Sequence, residues 1–131
     1  VQNRIEKLPF MDWRQLPAVI AGLDINLMPL ENSLFHWCKS ENKWTEAALV
    51  KVPSVMSRNC EMEYVVENGK DGWMCTTKEE WVNALEALVT DEKARKAMGE
   101  AAHQKVMEHY LTVNTGKDAM EELLCSESYT K

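Results

Sequence analysis

The sequence predicts an α/β fold: a short parallel sheet with helices on both faces, closed by a run of helices. Three observations carry this. Brief apolar, strand-like runs alternate with helical stretches up to about residue 76. Proline and glycine punctuate those runs, at Pro29, Pro53, Gly69 and Gly72. From Thr77 onward the chain reads as helices with good capping residues. Alternation of strand and helix implies parallel strands covered on both faces. Only three or four strands are legible, where a doubly wound sheet usually has about five or six. The chain therefore reads as the second half of such a domain, a three-layer Rossmann-like half-domain.

The elements follow in order. Arg4 to Leu8 is expected to form a short strand. Asp12 can cap a helix start, and Pro17 belongs in the first turn of that helix, which begins near Leu16. Ala18, Val19, Ile20 and Leu23 make this helix mostly buried and ending near Gly22. Ile25 to Met28 is a strand closed by Pro29. A ten-residue loop, Leu30 to Lys39, leads to Ser40, an expected N-cap for a helix over Glu41 to Val50. Pro53 to Ser57 is a second strand, and Glu61 to Val66 has room for a turn or two of helix. Asn68-Gly69-Lys70-Asp71-Gly72 has the chemistry of a tight turn, and Trp73 to Cys75 is the last strand. Thr77 and Glu80 form a capping box before the stripe Trp81, Leu85, Leu88 and Val89. Asp91 starts the next helix, with Ala94, Ala97, Met98, Ala101, Ala102, Val106 and Tyr110 on its apolar side. A final helix is expected from Thr115 to Leu124, followed by a polar tail.

Composition narrows the function. The 131 residues carry a net charge of −6, which argues against nucleic acid as a partner, since that needs a broad basic face. A small anionic ligand stays open, because two local lysines can outweigh a distant acidic surface. The longest apolar stretch, Leu16 to Leu30, is interrupted by Pro17, Gly22, Asp24 and Asn26 and is too short to span a bilayer. No basic start with an apolar run follows the N-terminus, so no secretory leader is expected. Cys38, Cys60, Cys75 and Cys125 stand in separate segments without redox or metal spacing and read as reduced thiols of a cytoplasmic protein. His36, His103 and His109 are equally scattered, so no metal site is expected.

One segment has the pattern of a binding site. With Ser40 capping a helix, Lys39 stands just before it, and Lys43 and Glu46 are neighbours on one face. Free backbone N–H groups, the positive end of the helix and two ammonium groups would then converge where a phosphate or diphosphate fits. Glu46, one turn deeper, would accept from a sugar diol. The preceding loop leaves the C-terminal end of a strand, where open α/β sheets bind ligands. The alternative is a solvated helix with an ordinary Lys–Glu pair. Ser40-x-x-Lys43 also matches part of a serine acyl-enzyme signature, but no companion motif supports that.

A family resemblance bears on this choice. Asp24-Ile25-Asn26-Leu27-Met28-Pro29-Leu30, Phe35, Lys39-Ser40, Lys43 and Glu46-Ala47-Ala48 occur in order. Val52-Pro53-Ser54-Val55 and Val65 to Trp73 follow, then Trp81, Arg95 and Tyr110. This ordered set, over roughly residues 5 to 111, resembles the C-terminal domain of the group 1, or family four, glycosyltransferases of the two-domain GT-B architecture.

The resemblance implies a domain that binds a nucleotide-diphosphate sugar and works with retention at the anomeric carbon, without a cofactor or essential metal. It implies that Glu46 holds the ribose, and that Lys43, then Lys39, neutralise the diphosphate leaving group. It leaves the directly catalytic residues unassigned. Residues 1–131 then form one partial C-terminal domain, with a strand/helix part over 1–76, a helical part over 77–125 and a tail over 126–131. The partner that completes the enzyme would be an acceptor-binding N-terminal domain, and the chain is expected to be inert alone. The full-length enzyme would be cytoplasmic, peripheral at the membrane.

This sequence departs from the family pattern in three places. Cys38 stands where a second glutamate is frequent, with Glu31 as a substitute from the loop start. His36 replaces an asparagine, and Lys51 replaces a glycine before the Val-Pro strand. Among the tryptophans, Trp44 and Trp81 read as core or interface; Trp37 reads first as an ordinary loop residue beside the site, with lining the site as its alternative. The rival reading is a non-catalytic α/β module that binds a protein partner, or a second copy of itself, through an open strand edge.

Overall fold

In the computed structural model, which describes residues 4–116, three strands form one parallel sheet in sequential order. They are β1 (Asn26–Met28), β2 (Ser54–Ser57) and β3 (Trp73–Cys75). Register makes two rows across the sheet. Met28, Met56 and Met74 lie side by side on one face, and Leu27, Val55 and Trp73 on the other. Because side chains alternate along a strand, each row belongs to a different core.

The methionine row packs under α3 (Asn42–Leu49), α4 (Cys60–Val65) and the second half of α6 (Glu92–His109). Trp44, Ala48, Met62, Ala102 and Val106 close that core. On the opposite face Val55 and Cys75 pack with Ala84 and Leu88 of α5 (Lys78–Thr90) and with Met98 of α6. The sheet is thus covered on both faces, as the alternation predicts. The β1 end is the exception: Leu27 stays 51 % exposed.

Caps set the helix starts. Thr77 and Glu80 form the predicted capping box of α5, and Asp91 accepts from the Lys93 and Ala94 N–H groups at α6. Asn59 does the same for α4, its Oδ1 accepting from the Met62 N–H at 2.9 Å. The predicted turn at 68–72 closes through the Gly69 N–H donating to the Gly72 carbonyl, with Gly69 at φ 84°. That left-handed angle is what makes glycine the fitting residue there.

Asp71, inside this turn, is 2 % exposed and ties four elements together. Its carboxylate accepts from the Glu67 N–H at 2.8 Å and pairs with the Lys105 ammonium of α6. Its carbonyl accepts from the Trp44 indole N–H at 2.9 Å. Lys105 also donates to the Val65 carbonyl at 2.8 Å. The fully buried Trp44 therefore has its one polar atom satisfied, which lets it sit in the core.

Four expectations need correction. Residues 5–10 are exposed and without regular structure rather than a strand, because no strand among the described residues pairs with them to satisfy their backbone groups. Helix α1 (Leu16–Ala21) starts as predicted with Pro17 in its first turn, but it buries no residue. It packs beside α3, and no other strand or helix among the described residues covers its outer face. The loop from Leu30 to Lys39 contains a short helix, α2 (Leu34–Trp37), capped by Ser33.

Ser40 does not cap the following helix. Glu41 occupies that position, its carbonyl accepting from the Thr45 N–H at 2.9 Å, which leaves Ser40 one residue too early to reach the free N–H groups. Residues 112–116 are helical. The rest of the predicted final helix and the tail lie outside the described residues.

Candidate functional site

The C-terminal ends of all three strands open into one cleft of about 490 Å³. Parallel strands bring this about: each ends on the same edge, and each connection must leave from there. The chain leaving β1 supplies Leu30, Glu31 and Asn32, with His36 and Trp37 from α2. The end of β2 supplies Ser57, Arg58 and Asn59, and the end of β3 supplies Cys75 and Thr76. Trp81 of α5, with Cys60 and Glu63 of α4, completes the wall.

Local hydrogen bonds fix the loop that forms one side. The Ser57 hydroxyl accepts from the Leu30 N–H at 2.8 Å and donates to the Leu30 carbonyl at 3.1 Å. This pins the exit of β1 to the end of β2. The Trp37 indole N–H donates to Asn32 Oδ1 at 2.8 Å. Ser33 Oγ lies 2.8 Å from His36 Nδ1, and the Phe35 ring meets the imidazole edge-on with centroids 5.3 Å apart.

The electrostatics of the cleft lean acidic. Arg58 is its one cation among the described lining residues, and it is paired with Glu63 at 3.0 Å. Glu31 has no ion-pair partner among the described residues. Glu80, just behind Thr76, is held below the usual carboxylate range by the Thr76 and Thr77 N–H groups. Burial pushes the Cys75 thiol up, with the Glu80 charge adding to it, so this cysteine is a protonated, packed side chain. Among the described residues no group of His, Cys, Asp and Glu side chains is arranged to hold a metal ion.

Of the residues singled out from the sequence, the cleft gathers Glu31, His36 and Trp37. Lys39, Ser40, Lys43 and Glu46 lie outside its lining, the first two in the exposed segment between α2 and α3 and the other two within α3. Lys39 places its ammonium over the Phe35 ring, 4.2 Å from the centroid. Lys43 and Glu46 project from the solvent side of α3, while the same helix buries Trp44, Ala47 and Ala48.

Sequence reasoning missed Arg58, Asn59 and Thr76. The available signal was position: each stands within two residues of the end of a predicted strand, where ligand-contacting residues of parallel sheets concentrate. Asn59 carries a further mark, since its side-chain Nδ2 is buried and has no hydrogen-bond partner among the described residues.

Comparison with known proteins agrees with this architecture. Residues 1–91 match the family described as glycosyl transferases group 1. No curated protein matches significantly. Among solved structures, the C-terminal domain of LpcC, a glycosyl transferase group 1 family protein from Francisella tularensis, superposes with a TM-score of 0.59. It is 18 % identical, over 79 % of this chain and 52 % of that one. HepE from Anabaena, solved in complex with UDP and glucose, gives a TM-score of 0.64 at 17 % identity, over 82 % of this chain and 29 % of that one. At such identities the likeness is one of fold. The chain spans about half the length of the first and under a third of the second.

Proposed function

This chain belongs to the group 1 glycosyltransferases, and from that premise we propose that it forms the donor side of an enzyme that transfers a hexose from a nucleotide-diphosphate sugar. The observation that carries the reading is the cleft at the C-terminal ends of all three parallel strands, where this class of sheet binds ligands. Glu46 then accepts from the ribose hydroxyls. Lys43 and Lys39 face the diphosphate and stabilise the charge that develops on it as the sugar leaves. Ser40 and Glu31 contribute hydrogen bonds along the way.

The reaction in this proposal retains the anomeric configuration and uses no cofactor. The acceptor is a glycan, a lipid or a small molecule, held by a separate N-terminal domain, so that residues 1–131 act as one partial domain without activity of their own. The site of action is the cytoplasm, at the membrane surface when the acceptor is a lipid.

The test is a titration of UDP, GDP and dTDP into the chain, read by backbone amide shifts, with Glu46→Ala as control. Saturable shifts over Lys39 to Glu46 that vanish in the variant support the donor site. No shifts at millimolar nucleotide would remove it.

A second reading, a protein-binding module, draws on one feature. Among the described residues nothing pairs with the outer edge of β1, and Leu23 and Leu27 beside it are 47 % and 51 % exposed. An edge of this kind can pair with a second copy of the chain. Light scattering across a concentration series would show the dimer that this reading requires.

A further inference from the structure

We propose that Asn59 makes the site selective for an acylamino sugar, its buried side-chain amine donating to the acyl carbonyl oxygen. The inference rests on the donor-site reading above and names the class of sugar. It starts from a polar atom that the fold itself does not use. Asn59 is 7 % exposed and lines the strand-end cleft. Its orientation is settled by its partner. The Met62 backbone N–H can only donate, so the atom that faces it at 2.9 Å is Oδ1. Nδ2 is then the other limb of the carboxamide, buried and without a hydrogen-bond partner among the described residues. Capping α4 needs only the oxygen, and serine or aspartate would supply one without an orphaned donor. The amine is surplus to the fold, which is the mark of a group whose partner is a ligand.

The acceptor that suits it is neutral. The lining holds Glu31 and Glu63, and its one described cation, Arg58, is already bonded to Glu63 at 3.0 Å. No positive charge is left over for an anionic group. A ring hydroxyl suits Nδ2 poorly, because it brings a proton of its own. The oxygen of the same carboxamide, already committed to Met62, is poorly placed to take that proton. A carbonyl oxygen brings two lone pairs and no proton.

An acyl carbonyl also stands off the sugar ring on its amide, which lets it reach a donor set behind the cleft surface. The same group carries an N–H for a carboxylate such as Glu31 and a methyl for the apolar surface of Trp81. Reaching Nδ2 requires part of the wall to move, and its neighbours Arg58 and Cys60 are both exposed. A plain hexose leaves the buried amine unpaired, so the discrimination comes from a donor that only the acylated sugar satisfies.

The test is calorimetric titration of the chain with UDP, UDP-glucose, UDP-N-acetylglucosamine, GDP and GDP-mannose, for wild type and Asn59→Ser, with urea denaturation of both. UDP-N-acetylglucosamine is expected to bind wild type about fivefold to tenfold more tightly than UDP-glucose. Asn59→Ser should remove that difference and leave UDP and UDP-glucose unchanged, while the variant stays at least as stable as wild type. Affinity lost without stability lost is a pattern that a purely structural asparagine does not give. In wild type the Asn59 side-chain NH₂ resonances, identified by their loss in the variant, should move with UDP-N-acetylglucosamine and not with UDP-glucose. Equal affinity of wild type for the two uridine sugars, a preference that survives Asn59→Ser, or binding confined to the guanosine ligands overturns the assignment while the donor site stands. An equal loss for every ligand in Asn59→Ser overturns it too, since the residue would then only shape the wall. Absence of all nucleotide binding by wild type overturns both readings.

Discussion

Lys51 turns its backbone into the left-handed region, φ 63°, and its carbonyl oxygen comes to rest against Gly99 of α6. A Cβ at position 99 would lie 2.1 Å from that oxygen and 2.8 Å from the carbonyl carbon. Helix α6 therefore crosses the turn between α3 and β2 at backbone contact. The obstacle is main chain, which a rotamer change cannot move aside. Gly99→Ala is expected to destabilise the fold by about 2–3 kcal/mol, the scale of an overpacked core position. Urea denaturation measures it, and an unchanged midpoint would mean that α6 can lift away at no cost.

The same turn explains one departure from the family pattern. The position before the Val-Pro strand is where the family usually has glycine, and a left-handed φ is what glycine supplies without strain. Lys51 adopts it at a cost. Its ion pair with Glu100, at 2.8 Å, is exposed on both sides, 52 % and 59 %, and such pairs contribute little. Lys51→Gly is thus expected to stabilise by about 0.5–1 kcal/mol, the relief of strain exceeding the lost pair and the added freedom of the unfolded chain. A lower melting temperature would show that the pair with Glu100 outweighs the strain.

These two residues also mark what the sequence could and could not convey. The positions of β1, β2 and β3, the capping box at Thr77 and Glu80, and the turn at Gly69 were legible because each depends on neighbours in sequence. The crossing of Gly99 over Lys51 depends on residues 48 apart and left no local signal. The misjudged burial of α1 has the same origin: Val19 and Ile20 are apolar at helical spacing, but burial needs a covering element, and β1 is an edge. At the site, spacing brought Lys43 and Glu46 to one helical face correctly. It could not tell that the strand-end cleft would instead collect Arg58, Asn59 and Thr76, which lie in three-dimensional register only because the strands are parallel.

Asp71 and Lys105 form the most buried ion pair of the described structure, the carboxylate side 2 % exposed and the ammonium side 29 %. Removing one partner of such a pair strands the other. Lys105→Met should cost about 3 kcal/mol, measured by urea denaturation. Adding Asp71→Asn to that variant should recover part of the loss. An amide carries no charge to strand and can still accept from the Glu67 N–H.

Acid should weaken the fold below the ordinary carboxylate range. The Thr76 and Thr77 N–H groups lower the pKa of Glu80 from its ordinary 4.5, and hydrogen bonds from Lys70, Lys96 and Lys51 do the same for Glu67, Glu92 and Glu100. A carboxylate with a depressed folded pKa stabilises fully above its unfolded value and loses that contribution as pH falls through the folded one. Melting temperature should therefore be level down to about pH 5 and fall below about 4.5. Glu80→Gln should melt lower than wild type at pH 7, with a shallower decline in acid. Parallel curves for the two proteins would show that the Glu80 caps contribute nothing.

Asn59 divides its carboxamide between two fates. Oδ1 caps α4 through the Met62 N–H at 2.9 Å, while Nδ2 is buried at the cleft wall without a partner among the described residues. The first contributes about 1 kcal/mol, and the second costs the desolvation of an unbonded donor. Serine keeps a capping oxygen and removes the orphaned amine; alanine removes both. Asn59→Ser is therefore expected to match or exceed wild-type stability, and Asn59→Ala to fall about 1 kcal/mol below Asn59→Ser in urea denaturation. Equal losses in the two variants would show that the amine is satisfied in solution, by water that enters from the cleft, and that the wall beside Arg58 opens more readily than its packing suggests.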